Sequence, residues 1–305
     1  MIELFESVIS QNADRYKTDY PFTWNVEMVM RRQGKLKLPD GYCSLPAWQQ
    51  VSTDCSAVSV AAAIQKLLVK SVNYFGMQYP ILAPHPAWLY AVARNQIGKG
   101  KLSVRPGCPI DDVIQVIEQY GFLWLIDGIP PYNLDVLNAW TDSIHYKNAG
   151  VSPLLYSHYF ERFLPIVQKL AGLIITKIPS SDGVISILNI GGTVVIESDM
   201  PFDPIELPDR RKLLTCTKRQ WERHTTYITD IDNKFRHSVK NIAVARWQIW
   251  GDNGEKGEYQ CKHETDPSGM CWQTYETLKK EFDKYKATAY GFIIKKSQEN
   301  NTNSN

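Results

Sequence analysis

The chain has 305 residues, 44% apolar and 22% charged, an ordinary globular composition with length enough for two lobes. A net charge of +2 supplies no long-range field to gather nucleic acid or an anionic membrane, so neither is expected as a partner. The six cysteines form no CxxC pair and are too sparse for a disulfide scaffold, so free thiols are expected.

The first residues carry Glu3 and Glu6 without an apolar core, unlike a secretory signal. No apolar run reaches the roughly 18 residues of a membrane span. The nearest, Phe163 to Ile178, is interrupted by Gln168, Lys169 and Lys177. A soluble chain that is not secreted is the expectation. Residues 1–40 read as an N-terminal extension, and LPDGYCSLP at 38–46 as turns.

From Cys55 to about Tyr74 there is no strong breaker, and alanine, valine and leucine dominate; the pattern predicts a buried central helix. Ser52, Thr53 and Asp54 before it are all N-cap residue types. PHPAWLYAVARNQIG (84–98) predicts a second helix, with His85 at its start. PIDDVIQVIEQYG (109–121) predicts a third, acidic in its first turn and closed by Gly121. Residues 125–150 read as loop, and a further helix is expected at 153–171.

The texture then becomes β-branched. LIITKI (173–178), GTVVIESD (192–199), TTYITDID (225–232), NIAVARWQIW (241–250) and ATAYGFIIKK (287–296) read as strands. The expected class is α+β with two lobes: a helical lobe at 41–165, a β-rich lobe at 166–296 and a polar tail at 297–305.

Cys55 opens a helix, where the macrodipole and free N–H groups favour a thiolate; Asp54 opposes this by its charge. A buried core cysteine has the same local signature. A nucleophilic cysteine needs a base, and the six histidines offer candidates. His224 stands at a strand start, whereas His237 lies in a charged turn. Cys261, His263 and Cys271 could supply three metal ligands without a fourth, so no metal and no cofactor is expected.

Three blocks in order give the chain a resemblance to the papain-like (C1) cysteine peptidases. Gln49 lies six residues before Cys55 at the head of a long helix; His224 opens HTTYITDID; and Gln248-Ile249-Trp250-Gly251 is followed by Gly254-Glu255-Lys256-Gly257 and Tyr259. Between them, RPGCPIDDVIQVIEQYG resembles the short helix of the bleomycin-hydrolase-like relatives, and DGVISILNIGGTVVIES resembles a helix–Gly–strand unit before the histidine. The resemblance covers about Leu45 to Phe282. It implies a two-lobe fold, with the central helix starting at the cysteine and a barrel-like strand lobe carrying the histidine. It also implies Cys55 as nucleophile, His224 as base, Gln49 as oxyanion donor, Gln248 orienting the histidine and Trp250 covering that contact. The implied partner is a peptide or protein substrate.

The chain departs from the family pattern at several points. Gln248 stands where the family has Asn, Ser56 where an aromatic is common, and Ser52 where secreted relatives have a disulfide cysteine. Cys55 and His224 are 169 residues apart, beyond the roughly 130–150 of the family, which implies insertions within 125–160 and 200–222. The long inhibitory propeptide is not expected. A second reading follows from these departures: a catalytically reduced relative serving in a large assembly such as a virion. A third is acyl or amide transfer with the same dyad. The expected location is cytoplasm or virion.

Overall fold

The computed structural model describes residues 54–75, 82–98, 107–126, 128–140, 153–200, 202–206, 208, 212–216, 224–232, 238–243, 247–250, 256–259 and 270–295. Helix α1 is Cys55–Phe75, α2 Pro86–Val92, α3 Ile110–Gln119, α4 Leu134–Trp140 and α5 Pro153–Phe163. Strand β1 (Leu173–Ile178), helix α6 (Ser181–Asn189) and strands β2 (Thr193–Ser198), β3 (Phe202–Glu206), β4 (Lys212–Cys216) and β5 (His224–Asp232) follow. The chain continues through β6 (Ser238–Ala243), β7 (Trp247–Trp250), β8 (Lys256–Tyr259), β9 (Met270–Thr274), α7 (Tyr275–Lys284) and β10 (Thr288–Ile294). The class is α+β, helices first and strands after, as the sequence pattern predicts.

The large sheet has the order β1-β10-β2-β5-β6-β9-β4-β3; β7 and β8 form a separate ribbon. All neighbours in the large sheet are antiparallel except β4 and β9. Strands β2 and β5 lie inside it and are covered on both faces. Val195 pairs Tyr227 in register, and both join the core formed by α1, α2 and α3. Val194 pairs Ile228, and both join the smaller core under α6 and α7, with Val184, Leu188 and Leu278. The period of two along each strand creates this division.

Helix α1 is buried from Ser56 to Ser71, so its polar groups there need partners inside the protein. Thr193 Oγ1 donates to the Ala63 carbonyl at 3.0 Å and Ser59 Oγ to the Thr225 carbonyl at 3.1 Å. Lys70 Nζ reaches the Gly192 carbonyl at 3.2 Å, the Thr229 carbonyl, and Asp230 Oδ1 at 3.3 Å. The β5–β6 register shifts between Ile228 and Asp230, which leaves Thr229 out of the ladder. The irregularity gives the lysine a carbonyl to bind.

Several boundaries differ from the sequence reading. Residues 125–150 hold α4, whose Leu137 and Trp140 are buried and whose first turn is capped by Asn133 Oδ1 accepting from Val136 N at 2.8 Å. The helix expected at 153–171 stops at Phe163, with a 3₁₀ turn at Leu164–Ile166. Pro165 lacks the N–H to continue it, and Gln168 instead bridges Phe122. The strand expected at 241–250 divides between the large sheet and the ribbon. Hairpin β3–β4 occupies part of one implied insertion; Pro204 is tolerated because β3 is an edge strand. The extension at 1–40 and the tail at 297–305 lie outside the described residues. Among the described residues, no helix is long and apolar enough to cross a membrane.

Candidate active site

Cys55 is the first residue of α1 and His224 the first of β5, as the sequence motifs place them. The two segments are joined at Thr225. Thr225, the residue after His224, lies beside the Cys55 thiol, and its backbone N–H and hydroxyl both act to pull the thiol pKa down. Ser56 Oγ lies 3.0 Å from Thr225 Oγ1, and Ser59 Oγ holds the Thr225 carbonyl. Two serines of α1, one and four residues after Cys55, thus fasten the helix start to the residue next to His224.

Strand alternation sorts the neighbours. Glu197 pairs Thr225, and this pair shares the α1 side of the sheet with Val195 and Tyr227. Ser198 pairs His224 one step further along, at the other parity. Glu197 is buried, and its Oε2 accepts from Ile110 N at 3.0 Å. It closes the N-terminus of α3, where Pro109 supplies no side-chain cap. Asp54 is fully buried and accepts from the Tyr132 hydroxyl at 2.5 Å. Cys108 precedes α3, and its carbonyl accepts from Ser56 Oγ at 2.8 Å.

These surroundings set the protonation states. Burial pushes the Cys55 thiol above its ordinary value; the two Thr225 hydrogen bonds pull it down, and the charges of Asp54 and Glu197 push it up. The lowering expected from the helix N-terminus is outweighed by desolvation, whereas the opposing effect of Asp54 is present as expected. Burial lowers His224 to about 4. At neutral pH the site holds a thiol and an uncharged imidazole. Cys108 is raised too, by burial first and then by the neighbouring Cys55.

The remaining sequence candidates separate by position. Gln49 lies outside the described residues. Gln248 pairs Glu258, and Trp250 pairs Lys256, in the β7–β8 ribbon, described there by backbone alone. Cys261 and His263 also lie outside the described residues, as do His145 and His237. His85 is the N-cap of α2, as expected of a helix-start residue. Its Nδ1 accepts from Ala87 N at 3.2 Å and its Nε2 lies 3.0 Å from the Pro130 carbonyl, which makes Nε2 the protonated nitrogen. Burial lowers it to about 3. His158 is exposed on α5.

Sequence reasoning did not single out Thr225, Glu197 or Tyr132. Thr225 adjoins His224 in HTTY, so adjacency could have flagged it. Glu197 and Tyr132 carry no local signal, because their partners lie 87 and 78 residues away.

No family model matches the chain, and no curated protein matches it. Among solved structures it is similar to digestive procathepsin L 3 of the Tenebrio molitor larval midgut. The two are 14% identical, over 95% of this chain and 89% of that one, with a TM-score of 0.41. A likeness of that size assigns no role to any residue of this chain.

Proposed function

We propose that the chain is a papain-like thiol peptidase, nearer the bleomycin-hydrolase-like relatives, that hydrolyses peptide bonds without a cofactor. The observation that carries this reading is the joining of the start of α1, which opens at Cys55, to the start of β5, which opens at His224, through the bonds of Ser56 and Ser59 to Thr225. Cys55 attacks the scissile carbonyl carbon while the uncharged imidazole of His224 takes the thiol proton. The proton passes to the leaving amine, and water then cleaves the thioester. The Cys55 backbone N–H and the Gln49 amide receive the oxyanion, and Gln248 orients the imidazole. A base that is uncharged at neutral pH suits a thiol that starts protonated.

Incubation with a mixed peptide library, with products read by mass spectrometry, tests this. Wild-type protein is expected to generate new termini, and Cys55→Ala and His224→Ala each to lose at least about a thousandfold in rate. Cleavage that persists without Cys55, or none by wild type, overturns the reading.

One observation favours a second reading. Burial, Asp54 and Glu197 all oppose the thiolate. In that reading the chain has reduced catalysis and acts as a binding component of a larger assembly. Absence of cleavage in the same experiment is its expected outcome.

A further inference from the structure

Ser56 follows Cys55 directly, at a place where the family that the sequence resembles commonly has an aromatic. A hydroxyl there can do what a ring cannot. Ser56 Oγ donates to the Cys108 carbonyl at 2.8 Å, because a carbonyl can only accept. Its one proton is spent, so across the 3.0 Å contact with Thr225 Oγ1 it accepts and Thr225 donates. One oxygen thereby joins three segments: the start of α1, the approach to α3 and the start of β5.

One turn further along α1, Ser59 Oγ donates to the Thr225 carbonyl at 3.1 Å. Positions three apart share a helix face, so neighbours on one face hold Thr225 at its hydroxyl and at its carbonyl. Two attachment points fix the direction in which β5 crosses the helix as well as its distance. Ser56, Ser59 and Thr225 are all buried, so a lost bond has no ready substitute from solvent. The grip falls on the residue directly after Cys55 and the residue directly after His224.

We propose that Ser56 is a positioning residue for the Cys55–His224 pair: its hydroxyl sets the start of β5 against the start of α1, and with it the reach of the imidazole to the thiol. This rests on the peptidase reading for the pair and names what holds the pair in place. A positioning group acts on the reaction through the groups it places. Loosening it weakens what His224 does for Cys55 and leaves the thiol's own reactivity alone.

The test is a double-mutant cycle on Cys55 alkylation at pH 7, resolved by mass spectrometry, with Ser56→Ala and His224→Ala alone and together. His224→Ala is expected to slow alkylation of the otherwise wild-type protein. Ser56→Ala is expected to slow it about tenfold with His224 present, and to change it less than about twofold once His224 is gone. Thr225→Val breaks the same bond from its other end and is expected to shrink the His224 effect likewise. Thr225→Ser keeps the hydroxyl and is expected to retain that effect. Urea unfolding checks that each variant is folded. A packing role alone slows alkylation equally with and without His224. The proposal is overturned if Ser56→Ala leaves the His224 effect at its wild-type size, or if Thr225→Ser loses it as fully as Thr225→Val. Those outcomes leave the peptidase reading standing. A wild-type protein in which His224→Ala changes nothing overturns that reading and the proposal together.

Discussion

Tyr132 donates its hydroxyl proton to Asp54 Oδ2 at 2.5 Å, inside the protein and one residue before Cys55. A tyrosine from the segment before α4 thereby anchors the carboxyl group that opposes the thiolate. Tyr132→Phe is expected to lose about 2 kcal/mol of stability, the weight of a buried hydrogen bond to a charged acceptor, measured by urea unfolding. Asp54→Asn keeps an acceptor for Tyr132 and removes the charge. It is expected to lower the Cys55 titration midpoint, since Asp54 contributes to raising it. An unchanged or raised midpoint would rule out that electrostatic role.

His85 gives the fold an acid limit. Its native value of about 3 lies below the ordinary 6.5 because burial disfavours the charged ring. The unfolded chain therefore binds more protons between these values. Stability from this residue is complete above about pH 6.5 and is lost as pH falls toward 3. His85→Asn keeps an N-cap acceptor for Ala87 N without a titrating ring. Its urea midpoint is expected to depend less on pH across that window than the wild-type midpoint. His224 acts with the same sign between 6.5 and about 4.

Glu281 has the opposite sign. It is buried on α7, accepts from Gln273 Nε2, and is raised from 4.5 to about 7, mainly by burial and against its bonds to Gln273 and Ser198. Its contribution is complete below pH 4.5 and is lost as pH rises through 7. Glu281→Gln is expected to gain on wild type across that interval and to hold a lead of about 3 kcal/mol above it. Unfolding curves at three pH values spanning the interval measure the lead. A lead independent of pH would exclude titration as its source.

Lys70 fastens the later turns of α1 to the irregular turn of β5. Lys70→Met keeps the apolar stem but leaves the Thr229 and Gly192 carbonyls and Asp230 without their cation. A loss of about 2–3 kcal/mol is expected in urea unfolding. Asp230→Asn, at the partly exposed end of the same contact, is expected to cost less than about 1 kcal/mol. Equal losses would place the energy in the ion pair and not in the carbonyl bonds.

Much of this molecule was legible along the chain. Alanine and valine without a breaker made α1, and its start at Cys55 followed from the polar run before it. Alternation located β1, β2, β5 and β10 to within a residue or two, and placed His224 at a strand start. Helix α4 was hidden because its seven residues are sustained by burial of Leu137 and Trp140, a tertiary effect. The division of 241–250 was hidden because alternation reports a pleated surface and not its partner strand.

The sequence by itself determined the helix that starts at Cys55, the strand that begins at His224, and the presence of Asp54 beside the thiol. Tertiary structure alone decided that Ser56 and Ser59 hold Thr225, that Tyr132 comes from elsewhere to bind Asp54, that the charge of Glu197 acts on the thiol, and that burial outweighs the helix terminus in holding the thiol protonated. Local periodicity fixes which face of each segment is apolar. Desolvation and hydrogen-bond partnership depend on groups brought together across 78 to 169 residues, and no local pattern encodes them.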